Sequence, residues 1–221
     1  MHYFNINTVI FDMDGVITNT MPDHYKAWVE ILKRHGITAT HHDIYLREGQ
    51  KGIDSVREIF ATHKKPFNRQ QAQKILKDKE EYFKRIVKRR FVLGTRSFLK
   101  DLYRQQFKLG LVTGTSRHEL QQILPQHIYN LFTVIVTGND VRDGKPHPEP
   151  YLTALKKLDI KSSQAVVIEN APFGISSAKC AGLRCLAIET SLPKAYLKKA
   201  DLIFRSIAQL RQKVRFILNK G

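Results

Sequence analysis

The chain is poor in several features that define whole classes of protein. Among its 221 residues only Cys180 and Cys185 are cysteines, too few for a disulfide scaffold. No stretch approaches the roughly 20 apolar residues that span a bilayer. The residues after Met1 do not form a basic segment followed by an apolar one, so no secretory signal is indicated. These absences predict a cytoplasmic protein with reduced thiols and no membrane partner.

Acidic residues are scarce beside basic ones. The chain has 37 Lys and Arg against 20 Asp and Glu, which gives a formal net charge of +17. A basic field of this size attracts anions in general, including nucleic acid, anionic lipid and phosphorylated metabolites. The charge alone does not choose among them. Apolar residues make up 42% of the chain, which is ordinary for a globular protein and excludes a disordered or collagen-like one.

Short apolar, β-branched runs alternate with helix-like stretches along most of the chain. The predicted strands are 7–11, 108–113, 133–137, 165–168 and 183–188. The helix-like stretches are 96–106, 116–124, 148–158 and 173–181. This alternation predicts an α/β fold with an open, Rossmann-like parallel sheet covered on both faces. At the C-terminus, Leu210, Val214, Ile217 and Leu218 predict one more helix, with its basic face exposed.

Residues 21–90 interrupt the alternation. Their apolar residues follow helical spacing, and no convincing strand run lies among them. We therefore predict two domains: an α/β core of residues 1–20 and 91–221, and an all-helical domain of residues 21–90 inserted between the first two predicted strands. Two linkers, near 18–22 and 91–95, would join them.

Polar residues stand where the apolar runs stop. Asp12 and Asp14 follow the first run, Thr113 the second, and Glu169 the fourth, while Lys145 lies in the loop after the third. Ligands of parallel α/β sheets bind at the carboxyl ends of the strands, so these side chains are expected to meet. Carboxylate, amide and hydroxyl oxygens suit Mg²⁺, which commonly bridges to substrate phosphate. An aspartate in such a site can act as a nucleophile towards phosphorus.

Four runs in this order resemble the motifs of the haloacid dehalogenase superfamily. They are FDMDGVITNT (11–20), VTGTS (112–116), GKPHPEPY (144–151) and VIENAPFGI (167–175). More narrowly, the chain is similar to the β-phosphoglucomutase-like phosphatases, which carry a helical cap after the first motif. The resemblance extends from about residue 7 to 188 and implies that residues 21–90 are this cap.

The resemblance also implies roles for single residues. Asp12 matches the nucleophile, and Asp14 matches the general acid and base. Thr113 and Lys145 match the pair that holds the phosphate. The backbone amides of Gly114 and Thr115, at the start of a predicted helix, would bind the same anion. Because Asp14 is present, phosphoryl transfer fits better than dehalogenation, which has no use for this acid.

The cofactor implied by the resemblance is Mg²⁺. Its expected ligands are Asp12, the backbone carbonyl of Asp14, Glu169 and Asn170. Many relatives have a second acidic residue where this chain has Asn170, so the site loses one negative charge. We therefore expect weaker Mg²⁺ binding, and Glu169 as a direct ligand.

Substrate selection is expected to come from the cap, because the core handles only the phosphoryl group. His24 on the first cap helix and Gly49, Gln50 and Lys51 in the following loop are the candidate contacts. Sugar-phosphate mutases of the resembled group hold a second phosphate with an arginine three residues after this glycine. Here that position is Gly52, which favours a phosphatase over a mutase.

The sequence thus predicts a monomeric, Mg²⁺-dependent phosphohydrolase that acts on a small phosphorylated metabolite, such as a sugar phosphate, through an aspartyl-phosphate. A sugar-phosphate mutase is the first alternative. A basic nucleic-acid-binding protein on a degenerate scaffold is a remote one, because the basic charge supports it but no recognised nucleic-acid motif is present.

Overall fold

The computed structural model describes residues 1–219 and has an α/β core. Its strands, in chain order, are β1 (His2–Ile6), β2 (Thr8–Phe11), β3 (Lys108–Val112), β4 (Val134–Val136), β5 (Ala165–Glu169), β6 (Arg184–Ile188), β7 (Leu202–Phe204) and β8 (Val214–Leu218). Within the described residues, six of them form a parallel sheet in the order β4-β3-β2-β5-β6-β7. The expected fold class is confirmed.

Helices cover both faces of this sheet. In the core they are α5 (Thr95–Arg104), α6 (Arg117–Ile123), α7 (Gln126–Tyr129), α8 (Glu149–Leu158), α9 (Pro172–Cys180) and α10 (Ile207–Lys213). Phe11 of β2 packs in a cluster with residues of α5, α6 and α10, whereas the neighbouring Ile10 packs with residues of α8 and α9. Because successive strand residues face opposite sides, a strand buried on both faces must be apolar throughout.

Four further helices lie between β2 and β3 in the chain. They are α1 (Met21–Lys33), α2 (His41–Tyr45), α3 (Gly52–Thr62) and α4 (Arg69–Ile86). They have an apolar cluster of their own, which includes Trp28, Ile31 and Ile59. The inserted segment is therefore helical, as expected; its limits at residues 21 and 90 stay a prediction. None of the helices within residues 1–219 is long and apolar enough to cross a membrane.

The two expected linkers run side by side. The amide of Asn19 donates to the carbonyl of Arg90 at 2.8 Å, and the amide of Val92 donates to the carbonyl of Ile17 at 3.0 Å. The chain thus enters α1 and comes back from α4 at the same end of β2, the end that is followed by Asp12 and Asp14. This arrangement holds the cap over that edge of the sheet.

The C-terminal prediction was wrong. Only Ile207–Lys213 is helical, and Val214–Leu218 forms a strand that pairs in parallel with β1 in a small second sheet. Val214 is buried, and exposure alternates along the strand from there, which is the period of two that a strand gives. The apolar residues at 210, 214, 217 and 218 fit helical spacing by coincidence, because the run crosses from one element into the next.

Asp140 organises the loop between β4 and Lys145. Its carboxylate accepts hydrogen bonds from the amide and the hydroxyl of Thr137, at 2.8 and 2.6 Å, and pairs with Arg117 at 2.7 Å and Lys157 at 3.1 Å. Burial raises the pKa of Asp140, but these donors outweigh it, so the pKa lies below its ordinary value. Such a group stabilises the fold above its ordinary pKa, and this contribution is lost as pH falls through the lowered one.

We expect Asp140→Asn to lower the free energy of unfolding by about 2 kcal/mol at neutral pH, because charge-assisted hydrogen bonds are lost. The difference from wild type should shrink as pH falls below about 4. Urea unfolding of both proteins at neutral and acidic pH measures it. Asp78→Asn is the matched control, since Asp78 pairs only with Lys74 one helical turn away on α4. A difference that does not change with pH contradicts the assignment.

Candidate active site

The polar residues at the strand ends meet at one edge of the sheet. Strands β3, β2 and β5 are neighbours, so their carboxyl ends lie side by side. The residues brought together there are Asp12, Asp14, Thr113, Lys145, Glu169 and Asn170, all of them buried. They thus lie at the same edge of the sheet, although they come from four distant parts of the chain.

Lys145 is at the centre of the cluster. Its ammonium donates to Asp12 Oδ1 at 2.6 Å, to Glu169 Oε1 at 2.8 Å and to the carbonyl of Val112 at 3.2 Å, and the side chain is 1% exposed. Burial lowers the pKa of Lys145, but the two carboxylates outweigh it and the net pKa is raised. The lysine is therefore a fixed positive charge at physiological pH.

One ammonium does not balance the carboxylates around it. Burial raises the pKa of Asp12, Lys145 opposes this, and the nearby Glu169 and Asp14 raise it further, to about 8. Asp12 and Glu169 share a single lysine, so a surplus of negative charge is left in a buried place. Another cation, or a protonated carboxyl, is needed to relieve it.

Asp14 sits on the other side of Asp12 among hydrogen-bond donors. Its Oδ2 accepts from the hydroxyl of Thr115 at 3.0 Å, and its Oδ1 accepts from the hydroxyl of Thr20. His24 Nε2 lies 3.4 Å from Oδ1. Burial raises the pKa of Asp14, but His24 and the hydroxyl donors outweigh it and the net pKa is lowered.

His24 thus contacts a catalytic candidate. It lies in the first turn of α1, and its ring stacks on the ring of Phe83 of α4, with the ring centroids 4.0 Å apart. We expected it to contact substrate; it also lines the cavity described below, so one ring faces both Asp14 and that space.

The turn after β3 is shaped by close packing against the cap. Thr113 Oγ1 accepts a hydrogen bond from the amide of Thr115 at 3.1 Å. A Cβ on Gly114 would overlap the carbonyl oxygen of Gly49, so only glycine lets the cap loop approach here. Gly49 itself has a φ of +80°, a conformation that glycine adopts without strain. The cap loop thus contacts the core directly, and this arrangement is called the closed cap below.

Glu169 was expected to be a direct metal ligand, but protein hydrogen-bond donors surround its carboxylate. Its Oε1 accepts from Lys145 and from the hydroxyl of Tyr151 at 3.2 Å, and its Oε2 accepts from the amides of Asn170 and Ala171 at 2.7 and 3.0 Å. Both oxygens are engaged by protein donors. In this state Glu169 anchors Lys145, and a direct metal bond would require it to release some of these donors.

Asn170 and Asp12 present the oxygens that fit a metal ion. The Asn170 amide nitrogen donates to Glu48 Oε1 at 2.7 Å and to the hydroxyl of Ser191 at 2.8 Å. Its carbonyl oxygen Oδ1 and Asp12 Oδ2 are buried and have no hydrogen-bond partner among residues 1–219. Two unpartnered buried oxygens beside a surplus of negative charge are the donors that Mg²⁺ takes. The site therefore fits the expected cation.

The cap residues expected to bind substrate, Gly49, Gln50 and Lys51, line the cavity described below, and two of them are also bonded to protein groups. Lys51 donates from its ammonium to the carbonyls of Val141 at 2.9 Å and Arg142 at 3.0 Å, in the loop before Lys145. Gln50 donates to Glu58 at 2.6 Å and accepts from Ser55 at 3.0 Å. Lys51 therefore fastens the cap to the core, and Gln50 braces the cap loop.

A cavity of about 270 Å³ lies between the cap and the core. Asp14, Thr115 and Glu119 line it from the core, and the cap contributes His24, Trp28 and Lys79 among others. Asp12, Thr113 and Lys145 do not line it, because the loop around Gly49 covers them. Asp12 is therefore not exposed to this cavity while the cap is closed.

Lys79 and Glu119 were missed from the sequence, and Glu48 was expected only as a contact for substrate hydroxyls and not as a partner of Asn170. Lys79 of α4 pairs with Glu119 of α6 at 3.2 Å, and both side chains are buried between cap and core. Glu48 of the cap reaches Asn170, and burial raises its pKa well above the ordinary value, against the hydrogen bond from Asn170. No local sequence signal marks these residues, because each acts through a partner far away in the chain.

A model of the haloacid dehalogenase-like hydrolase family matches residues 9–188. The chain belongs to this family. The expected resemblance is thereby confirmed, and its four motifs are the parts of the chain that build the cluster around Lys145.

Named relatives span nearly the whole of this hydrolase. Validoxylamine A 7'-phosphate phosphatase of Streptomyces hygroscopicus subsp. limoneus is 30% identical over 207 residues, 91% of this chain and 94% of that protein. β-Phosphoglucomutase of Bacillus subtilis is 28% identical and covers 93% and 92% of the two chains. Among solved structures, β-phosphoglucomutase from Clostridium difficile is 26% identical, with a TM-score of 0.83 and 93% of each chain covered.

Proposed function

We propose that this haloacid dehalogenase-like hydrolase is a Mg²⁺-dependent phosphatase of small phosphorylated metabolites, sugar phosphates in particular. The observation that carries the proposal is the pairing of two buried aspartates with different partners. Asp12 is held by Lys145 at 2.6 Å, and Asp14 is held by the hydroxyl of Thr115 at 3.0 Å. One carboxylate is thereby kept for attack on phosphorus and the other for proton transfer.

The first step makes and breaks one bond to phosphorus. A carboxylate oxygen of Asp12 attacks the phosphoryl group, the bond to the substrate oxygen breaks, and protonated Asp14 gives its proton to the leaving alcohol. The lowered pKa of Asp14 opposes this protonation in the closed state without substrate. A bound phosphate brings negative charge close to Asp14, and like charges raise a carboxyl pKa.

The second step restores the enzyme. Ionised Asp14 takes a proton from water, the water oxygen bonds to phosphorus, and the bond to Asp12 breaks to release inorganic phosphate. The proton taken from water returns Asp14 to its starting form. His24 and the two hydroxyl donors, which lower the pKa of Asp14, favour its role as base here.

The residues that would hold Mg²⁺ are Asp12 and Asn170, through their unpartnered oxygens, with the backbone carbonyl of Asp14. When bound, the ion supplies positive charge that offsets repulsion between the carboxylate and the phosphate dianion. Lys145 and the turn of Thr113 to Thr115 contribute the remaining donors for the phosphoryl oxygens.

The cavity supports a small substrate. Its volume of about 270 Å³ lies below the roughly 300–1,000 Å³ typical of sites for drug-sized ligands. Arg47, Lys79 and Glu119 give its walls charges of both signs around Trp28, a mixture that suits a hydroxylated ring. A relative from Thermotoga maritima, 30% identical over 182 residues, is named as a phosphorylated carbohydrates phosphatase.

Gly52 favours hydrolysis over mutase activity. A mutase must hold a bisphosphate and turn it round, which calls for a strong second phosphate contact. A Cβ on Gly52 would lie 2.5 Å from Cδ2 of Leu76, so a larger residue does not fit this helix start as packed. The position that carries arginine in the resembled mutases therefore has no side chain here to hold a second phosphate.

We expect the purified enzyme to release inorganic phosphate from at least one sugar phosphate in a screen of phosphorylated metabolites with Mg²⁺, and to lose this activity with excess EDTA. β-Glucose 1-phosphate with a trace of the 1,6-bisphosphate separates the two reactions, because a mutase returns glucose 6-phosphate and a phosphatase returns glucose. Turnover of no phosphate ester in the screen contradicts the proposal. Isomerisation faster than phosphate release would favour the mutase.

A further inference from the structure

Glu48 is a cap residue whose carboxylate crosses into the core. It lies in the loop between α2 and α3 and is 3% exposed. Its Oε1 accepts from the Asn170 amide nitrogen at 2.7 Å and from the Ser191 hydroxyl at 3.2 Å. Its Oε2 is buried and has no hydrogen-bond partner. The only cap side chain bonded to Asn170 within the described residues is thus an acid.

This contact fixes which way the Asn170 side chain points. An amide nitrogen has two hydrogens, and both are used, on Glu48 and on Ser191 at 2.8 Å. A carboxylate accepts and cannot donate when ionised, so it selects the nitrogen and turns the carbonyl oxygen away. That oxygen, Oδ1, is buried and unpartnered, as is Asp12 Oδ2. Glu48 therefore sets the orientation of the amide oxygen available to a cation.

We propose that Glu48 is a positioning residue for the divalent cation, supplied by the cap, which couples cation binding to cap closure. The proposal rests on the proposed function only in that Asp12 and Asn170 hold the cation. With the cap closed, Glu48 orients Asn170 by accepting a hydrogen bond from its amide nitrogen. With the cap open, the amide loses this partner and can rotate. By reciprocal linkage, the bound cation favours the closed cap.

The same contact explains why residue 170 is an amide. An aspartate there would face Glu48 with a carboxylate at the 2.7 Å that now separates donor from acceptor. Like charges so close, both out of water, repel strongly. Residues 48 and 170 therefore form a matched pair, in which the cap supplies the hydrogen-bond acceptor and the core supplies the amide donor.

Direct Mn²⁺ binding, measured by electron paramagnetic resonance without substrate, tests this proposal. Glu48→Ala should weaken Mn²⁺ affinity by about 10- to 100-fold, the range for residues that orient a metal ligand. Glu48→Gln keeps an acceptor for the amide and should cost less than Glu48→Ala. Glu30→Ala removes an acid on the half-exposed face of cap helix α1, where it pairs with Arg34, and should leave affinity unchanged.

A double substitution gives a second test, in which the effect of Glu48→Gln on Mn²⁺ affinity changes direction. In the wild-type background, Glu48→Gln should weaken Mn²⁺ binding or leave it unchanged. In an Asn170→Asp background the same change should tighten it, because it removes the repulsion between two carboxylates. A residue that only stabilises the fold would not produce this reversal. Thermal unfolding of each variant checks that it is folded.

Closure is followed through Trp28, the only tryptophan, which lines the cavity between cap and core. Mn²⁺ should protect its fluorescence from acrylamide quenching in the wild type and not in Glu48→Ala. If folded Glu48→Ala binds Mn²⁺ with wild-type affinity, and Mn²⁺ still protects Trp28 from quenching in this variant, the proposal is overturned. If Asp12→Asn binds Mn²⁺ with unchanged affinity, Asp12 is not a metal ligand and the metal site of the proposed function is wrong. This result differs from a failure of the Glu48 proposal, so the two can be told apart.

Discussion

Replacing Asp12 with asparagine is expected to abolish phosphate release, with a loss on the order of 10⁴-fold or more in kcat. An amide is not a nucleophile towards phosphorus under these conditions, so the covalent intermediate does not form. The substitution preserves shape, and its oxygen can still accept from Lys145, which now donates to Asp12 Oδ1 at 2.6 Å. Initial rates with the best substrate of the screen, together with thermal unfolding, measure the effect.

The matched control for this prediction is Asp78→Asn, which makes the same change at the Lys74 pair on helix α4. It should leave kcat within about twofold, as expected for a surface ion pair far from the site. Acid quench of the wild type during turnover should trap a phosphorylated protein that Asp12→Asn does not give. An Asp12→Asn enzyme that keeps a tenth of the wild-type rate would remove Asp12 as the nucleophile.

Most of the site was predictable because Asp12, Thr113 and Glu169 stand at strand ends, whereas Lys145 comes from the loop after β4. Apolar runs such as Thr8–Phe11 are buried on both faces, so the sequence marks where they stop. The residue that follows, Asp12, must then lie at the sheet edge together with Glu169 on the neighbouring strand. Topology alone brings them together, and no side-chain detail is required.

The contacts between cap and core could not be predicted in the same way. Glu48 meets Asn170 across 122 positions in the chain, and Lys79 meets Glu119 across 40. Neither pair follows from a periodicity or a motif, since both depend on how the cap packs on the sheet. Lys51 shows the same limit, because its loop position does not reveal that its ammonium binds core carbonyls while the residue also lines the cavity.

Lys145→Met is expected to have the largest effect on stability, lowering the free energy of unfolding by about 3–5 kcal/mol. Methionine preserves most of the side-chain length, so the loss comes from charge. It leaves the carboxylates of Asp12 and Glu169 buried without the ammonium that now lies 2.6 and 2.8 Å from them. Urea unfolding measures this effect, and Lys74→Met, which removes an exposed lysine from a surface pair, should change stability by less than about 1 kcal/mol.

A second substitution separates the two tasks of Lys145. Glu169→Gln in the Lys145→Met background removes one of the two uncompensated charges, so it should regain a large part of the lost stability. It should regain no phosphatase activity, because no positive charge is returned to Asp12 or to the phosphoryl oxygens. The double variant would then regain stability without regaining phosphatase activity. If the double variant is no more stable than Lys145→Met, charge balance does not explain the buried lysine, and packing around Tyr151, whose ring centroid lies 5.2 Å from its ammonium, must account for it.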